Sequence, residues 1–275
     1  MADARTWPLQ VDVGGAAPWV ATALVLLVLA GAATPAVAQA QRVTFFRDRL
    51  RYKPFTWLFA DPDSSRQVYV HDQTIAVVEL GPKQILLNCE LIEVPTPKIS
   101  AAVLKNLSSI NKPIPVSLKE IRQLMHNCKD LEPPEGAINK SIGDSPNPQK
   151  IDPWSILTGI VPGTKWCGNG DIASTYFDLG FFTEVDKCCR VHDICPVKVR
   201  GFETRYNIKN VAFYTKSHCD CDTTFYQCLK ATQHPAANLM GRFYFNLLRT
   251  QCIEDIQSST SEEPKRIFRP PKHIY

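Results

Sequence analysis

Cys188-Cys189-Arg190-Val191-His192-Asp193-Ile194-Cys195-Pro196 places a histidine and an aspartate side by side among three cysteines. Thr183 is a good N-cap with Asp186 three residues on, so a helix is predicted from Thr183 to about Ile194. It must stop before Pro196, because the residue ahead of a proline disfavours helical backbone. On that helix Cys188 and His192 share a face, as do Cys189 and Asp193, and Cys189 and His192 are three apart. Two disulfides leaving from adjacent positions would clamp the helix on two sides. Twenty residues upstream stands Trp166-Cys167-Gly168-Asn169-Gly170, a glycine-rich turn carrying a further cysteine.

The chain has ten cysteines, eight of them between Cys167 and Cys252, a density that reads as a disulfide framework formed in an oxidising compartment. The alternative is a zinc cluster. Its usual paired C-x2-C spacing is not what Cys188-Cys189, Cys195 and Cys219-x-Cys221 offer. The N-terminus agrees with export: Trp19 to Ala33 is apolar and uncharged, and small residues at Ala36, Ala38 and Ala40 fit a cleavage site. Residues 1–40 therefore read as a signal peptide, with an uncleaved signal anchor as the alternative. Asn106-Leu107-Ser108 and Asn139-Lys140-Ser141 are glycosylation sequons. Hydrophobic content of 44% is ordinary for a globular protein, and a net charge of +4 is mild. That charge is compatible with visits to anionic surfaces but demands no such partner, and nothing in the chain calls for nucleic acid.

Residues 41–128 read as a small N-terminal module or prosegment. Residues 41–65 are basic and aromatic without a period, whereas Gln67–Val70, Thr74–Leu80 and Ile85–Val94 are strand-like and punctuated by Asp72-Gln73 and Gly81-Pro82. Ser117-Leu118-Lys119-Glu120 is a capping box, followed by Leu118, Ile121, Leu124 and Met125 at helical spacing. Cys89 and Cys128 are the module's two cysteines and can close a disulfide. It holds no catalytic constellation; His71 and His126 read as surface or packing residues. Residues 129–158 form a proline- and glycine-containing linker, with a composition shift at Trp154. Beyond it a cysteine-rich domain spans 159–258, and a basic tail, expected to be irregular, occupies 259–275. A second helix is predicted from about Ser217 through Asp222, Phe225 and Leu229, and a third from Ala237 to Gln251.

A clamped histidine makes a good general base, because its pKa suits neutral pH and its geometry is fixed. The base needs an orienting partner on its other ring nitrogen, and Asp222 is the candidate. Asp193 projects about 100° away from His192 around the helix and is better placed to bind a cation beside it. A hard cation such as Ca2+ takes oxygens from carboxylates and backbone carbonyls, and a glycine-rich turn can curl its carbonyls around an ion. The loop lacks the spacing of an EF-hand. The competing interpretation is a disulfide-rich toxin or binding module, in which His192 and Asp193 only solvate or cap the helix.

At these residues the chain resembles secreted phospholipase A2 of the bee-venom type (group III). The shared text is Pro162-Gly163-Thr164-Lys165-Trp166-Cys167-Gly168-Asn169-Gly170, Asp186 through Pro196, Cys219-Asp220-Cys221-Asp222 through Lys230, Tyr244-Phe245-Asn246-Leu247 and Cys252. The match covers about a third of the chain, from roughly Gly159 to Cys252. The resemblance implies a mainly α, disulfide-rich fold: two antiparallel catalytic helices with a calcium loop, here preceded by the strand-and-helix module. It implies that His192 activates a water to attack the sn-2 ester of a glycerophospholipid, releasing fatty acid and lysophospholipid. Asp222 would orient His192, and Tyr244 would support Asp222. Ca2+ would sit on the carbonyls of Trp166, Gly168 and Gly170 and the carboxylate of Asp193, stabilising the oxyanion and holding the phosphate. The implied disulfides are Cys167–Cys189, Cys188–Cys228, Cys195–Cys221 and Cys219–Cys252, leaving Cys89 for Cys128.

The implied partner is a phospholipid membrane surface, met peripherally through Ile160, Val161, Phe182, Leu239 and Met240, with the basic tail adding attraction to anionic lipid. A membrane receptor is a further partner the family admits; the oligomeric state is open. The chain departs from the venom pattern in three places. Asn169 stands in the loop, where only backbone is used; the extra disulfide hairpin of the venom enzyme is missing; and 41–152 has no counterpart there. Two rivals remain, a non-catalytic relative that binds lipid or a receptor through the same scaffold, and a protein whose main task lies in 41–128.

Overall fold

The computed structural model describes residues 63–131, 159–257 and 264–275. The apolar run 19–33 and its cleavage region, the stretch 41–62, the linker from residue 132 to 158 with the Asn139 sequon, and residues 258–263 lie outside the described residues.

The upstream module is built on a sheet. Strands β1 (Ser65–His71), β2 (Thr74–Leu80), β3 (Leu86–Glu93) and β4 (Ile114–Pro115) lie in the order β3-β2-β1-β4. β1 and β2 form an antiparallel hairpin through Asp72-Gln73, where Asp72 adopts φ 45°, and the short β4 pairs parallel to β1. β-branched residues favour such pleated, buried surfaces, and β2, central in the sheet, is buried from Thr74 through Glu79. Helix α1 (Pro97–Leu107), which the sequence reading did not foresee, starts where Thr96 Oγ1 accepts from Ile99 N and Pro97 takes the first turn. Helix α2 (Leu118–Lys129) opens on the expected capping box: Glu120 N donates to Ser117 Oγ and Ser117 N to Glu120. It buries Ile121, Met125 and Cys128, and Cys128 is bonded to Cys89 of β3.

Beyond residue 158 come helices α3 (Thr183–Asp193), α4 (Cys219–Thr232) and α5 (Pro235–Gly241), the last continuing into a π-helical stretch over Arg242–Leu248. Thr183 lies in the first turn of α3 rather than at its cap; Phe182 holds the cap position without a side-chain bond. α4 begins two residues later than expected, because the His218 side chain accepts from Asp220 N and caps it. The expected third helix starts earlier, at Pro235 behind a His234 cap, and ends at Leu248, where Arg249 turns left-handed with φ 47°. Between α3 and α4 lie two short hairpins, β5 (Lys198–Val199) with β8 (Lys216–Ser217) and β6 (Thr204–Arg205) with β7 (Ile208–Lys209).

The tail corrects the expectation of irregular structure. β10 (Lys265–Arg269) pairs antiparallel with β9 (Cys252–Ile256) from Lys265↔Ile256 to Arg269↔Cys252. Its charges meet acidic partners across the pair, Arg266 on Asp255 and Arg269 on Glu254, while Phe268 packs on the cluster of Val197, Val199 and Ile253. The basic residues are therefore largely paired within the fold, which weakens their attraction to anionic lipid.

All ten cysteines are in disulfides: Cys89–Cys128, Cys167–Cys189, Cys188–Cys228, Cys195–Cys221 and Cys219–Cys252. The pairing is the one the resemblance implied, and it removes the zinc-cluster alternative. Among the described residues there are five disulfides and five α-helices, with more strand than a mainly helical fold would have. One apolar cluster runs without a break from Val68, Ile75 and Met125 in the module to Trp166, Val185, Phe225 and Phe245 beyond it. Among the described residues no helix is long and apolar enough to cross a membrane.

Candidate active site

The two disulfides that leave Cys188 and Cys189 do different jobs. Cys188–Cys228 ties α3 to α4, and Cys167–Cys189 ties α3 to the glycine-rich loop. Loop and helix pair thus converge on the last turn of α3, which carries His192 and Asp193.

His192 Nε2 lies 2.8 Å from Asp222 Oδ1 on α4. The Tyr244 hydroxyl, from the π-helical stretch, donates to the same oxygen at 3.1 Å and stands 3.4 Å from His192 Nε2. The imidazole is stacked on Phe225, with ring centroids 4.4 Å apart, and meets the Tyr244 ring edge-on. With Nε2 engaged by Asp222, one face stacked on Phe225 and Tyr244 against the ring, the imidazole is held in one orientation. Burial pushes the Asp222 carboxyl up, opposed by the hydrogen bonds from His192 and Tyr244. The Tyr244 hydroxyl is driven well up, first by burial and then by the Asp222 charge, so it stays a donor across the ordinary pH range.

The loop is held from below by a residue the sequence reading treated only as part of a helix-start pattern. Asp186, fully buried, accepts from Trp166 N at 2.8 Å, from Gly180 N at 2.7 Å and from Lys165 N. Burial raises its carboxyl and the three backbone donors pull against that rise. Asp178 makes a second brace: its carbonyl accepts from Trp166 Nε1, and its carboxylate takes Lys165 Nζ and the N and Oγ of Ser174. Gly168 is required twice over. Its φ is +147°, and a Cβ there would lie 2.1 Å from the Gly159 carbonyl oxygen. Gly170 has φ +82° with open space around it, so only its backbone conformation demands glycine. Asn169 contributes backbone, its N–H donating to Gly159 O.

Asp193 is the electrostatic anomaly. Its Oδ2 is closed to solvent and has no hydrogen-bond partner. Burial pushes the carboxyl well above the usual carboxylate range; Lys198 pulls it down, and the carboxylates of Asp171, Glu93 and Asp186 push it further up. A carboxylate buried beside other acids, with an orphaned oxygen, next to a loop of left-handed glycines, fits a hard cation bound by oxygen. Among the described residues no group of three or more His, Cys, Asp or Glu side chains could hold a metal, so such a site must draw on backbone carbonyls. Lys198, which no local pattern singled out, donates to the Asp193 carbonyl and pairs with Glu93 at 2.6 Å.

Of the five apolar residues expected at a membrane rim, Val161, Phe182 and Met240 are core, exposed 1%, 8% and 4%. Their apolar character serves packing, Phe182 against Phe181 and His234. The large apolar groups that do face solvent near the loop and the π-helical stretch are Ile172, Phe181 and Leu247.

A family model described as phospholipase A2 matches residues 160–256. The phospholipase A2 of Apis cerana cerana is 44% identical over 96 residues, which are 34% of this chain and 72% of that protein. The group 3 secretory phospholipase A2 of Bos taurus is 41% identical over 123 residues, 44% of this chain and 25% of that protein. The one named for Homo sapiens is 38% identical over 139 residues, 50% and 27%. The chain thus matches only about a quarter of the length of the two mammalian relatives.

Proposed function

Because the chain belongs to the phospholipase A2 family, we propose that it is a secreted, calcium-dependent enzyme that hydrolyses the sn-2 ester of glycerophospholipids at a membrane surface. Fatty acid and lysophospholipid are the products. The observation that carries this reading is the chain of contacts Tyr244–Asp222–His192, anchored by one disulfide to α4 and by another to the loop beside Asp193.

In this reading His192 takes a proton from water on Nδ1 while Nε2 stays on Asp222. Asp222 keeps the ring in the tautomer and orientation that allow it, and stabilises the imidazolium that forms. Tyr244 holds the Asp222 carboxylate by donating to the same oxygen. Asp193 and the carbonyls of Trp166, Gly168 and Gly170 would hold Ca2+, which when bound supplies Lewis-acid stabilisation of negative charge on the ester oxygen and the phosphate. Asp186 and Asp178 keep the loop in the shape those carbonyls need. Secretion accords with the five disulfides and with the names of the relatives, and residues 159–258 are the proposed catalytic domain.

The test is fatty-acid release from mixed phospholipid vesicles by the full chain, with calcium, with chelator, and with His192→Gln. Release from the sn-2 position that needs both calcium and His192 is the expected result. Release that persists in chelator, or in the His192 variant, would overturn the reading.

A further inference from the structure

The family model's match begins at residue 160, beyond the strand-and-helix module, yet that module meets the proposed site directly. A cavity lies between α2, α3 and α4. Met125 and His126 of α2 line one side, and His192, Val191 and Phe225 line the other. Met125 is 2% exposed, so it belongs to the wall rather than to solvent. Arg122 anchors the helix there, donating to the Asp220 carboxylate at 2.7 Å and to the Asp220 carbonyl at 3.2 Å. From the opposite side Arg190 of α3, itself buried, donates to Lys129 O.

A second set of contacts, at the hairpin end of the sheet, is buried and polar. Thr74 Oγ1 donates to Ile194 O at 2.6 Å, Gln73 N to Pro196 O, and Gln73 Nε2 to Lys198 O at 2.8 Å, with Gln73 and Thr74 wholly enclosed. Glu93 pairs with Lys198, whose side chain is 5% exposed. Removing the module would take from this lysine its ion-pair partner Glu93 and strip partners from the carbonyls that follow α3, while opening the apolar cluster that both parts share. A removable prosegment would not be expected to share its core with what it leaves. No disulfide crosses the divide: Cys89–Cys128 lies within the module and the other four lie within 167–252.

We propose that residues 63–131 are a permanent part of the catalytic unit, and that α2 supplies one wall of the slot at His192, with Met125 a determinant of which acyl chains are accepted. The second half rests on the reading of His192 as the general base; the first half does not. Met125 shares the cavity lining with Val191 and Phe225, which suit hydrocarbon, while Arg122, His126 and Lys129 add basic groups to the same lining.

The test uses the full chain with a protease site inserted between residues 131 and 159. After cutting, without reductant, the two pieces should co-elute on size exclusion at micromolar concentration. Separation of the pieces would overturn the proposal, as would a rise in vesicle hydrolysis on cutting, which would mark the module as a cover. In the uncut chain, Met125→Trp should shift the ratio of kcat/KM for long-acyl over short-acyl phosphatidylcholine down by about tenfold, and Met125→Ala should shift it up. Circular dichroism and thermal midpoint establish that each variant is folded. An unchanged ratio in both folded variants would refute the role of Met125. Absence of hydrolysis in the wild-type chain would refute the catalytic reading instead, leaving co-elution to decide whether the module is permanent.

Discussion

At the scale of single residues, the candidate site is a matter of which polar atoms have partners. Tyr244 gives one hydrogen bond to Asp222, so Tyr244→Phe removes about 1 kcal/mol of support and should lower kcat roughly fivefold without unfolding the protein. Asp222→Asn cannot hold a cationic imidazole and should cost about a hundredfold or more in kcat, measured on the same vesicles. Asp193 Oδ2 is the complementary case, a buried acceptor with nothing to accept. Calcium at about one hundred times its dissociation constant should stabilise the wild-type chain by about 2.7 kcal/mol, read as a rise in thermal midpoint. Asp193→Asn should abolish that rise, and an equal rise in the variant would remove Asp193 from the calcium site.

At the scale of elements, the loop and α3 depend on contacts that local sequence rules do not reveal. Gly168 cannot carry a side chain, since its Cβ would collide with the Gly159 carbonyl and its φ is +147°. Gly168→Ala should therefore destabilise by at least about 2 kcal/mol and weaken calcium binding, visible as a lower denaturation midpoint and a shifted titration curve. The acidic residue after Thr183 looked like an ordinary helix-start feature. Instead Asp186 sits a full turn inside α3 and accepts from two backbone N–H groups at the loop, Lys165 and Trp166, and from Gly180 N just ahead of the helix, because the chain folds those segments against it. α1 was overlooked because its apolar face is short, although the Thr96-Pro97 start signal was present. The tail was misjudged for a related reason: Lys265-Arg266-Ile267-Phe268-Arg269 reads as a basic run until β9 offers Asp255 and Glu254 opposite it.

At the scale of the whole molecule, acid should act through the braces of the loop. Burial opposes the charge on Asp178, but Lys165 and the Ser174 donors outweigh it and hold the carboxyl below its usual range. A group depressed in the folded state contributes stability that is present above about pH 4 and is lost as pH falls through the folded value. The thermal midpoint of the wild-type chain should fall more steeply between about pH 4 and 2 than that of Asp178→Asn, which lacks the titrating group. Equal slopes would show that Asp178 carries none of the acid response. At the same scale sits the interface between the sheet module and the helices, where Thr74, Gln73 and Glu93 satisfy groups around the end of α3.

The sequence by itself determined the parts that depend on short range. Cysteine spacing, the adjacent His192 and Asp193, the loop glycines and the capping box at Ser117 are all fixed by a few consecutive residues, and helical periodicity turns them into faces. The disulfide pairing followed from the resemblance, whose motif order and spacing leave little freedom. Only the tertiary structure decided which apolar residues are core rather than rim, as Val161, Phe182 and Met240 illustrate, since burial depends on neighbours far away in the chain. It also decided that Asp186 and Asp178 hold the loop and that α2 stands against His192. Those contacts join segments tens of residues apart, and no local pattern records them.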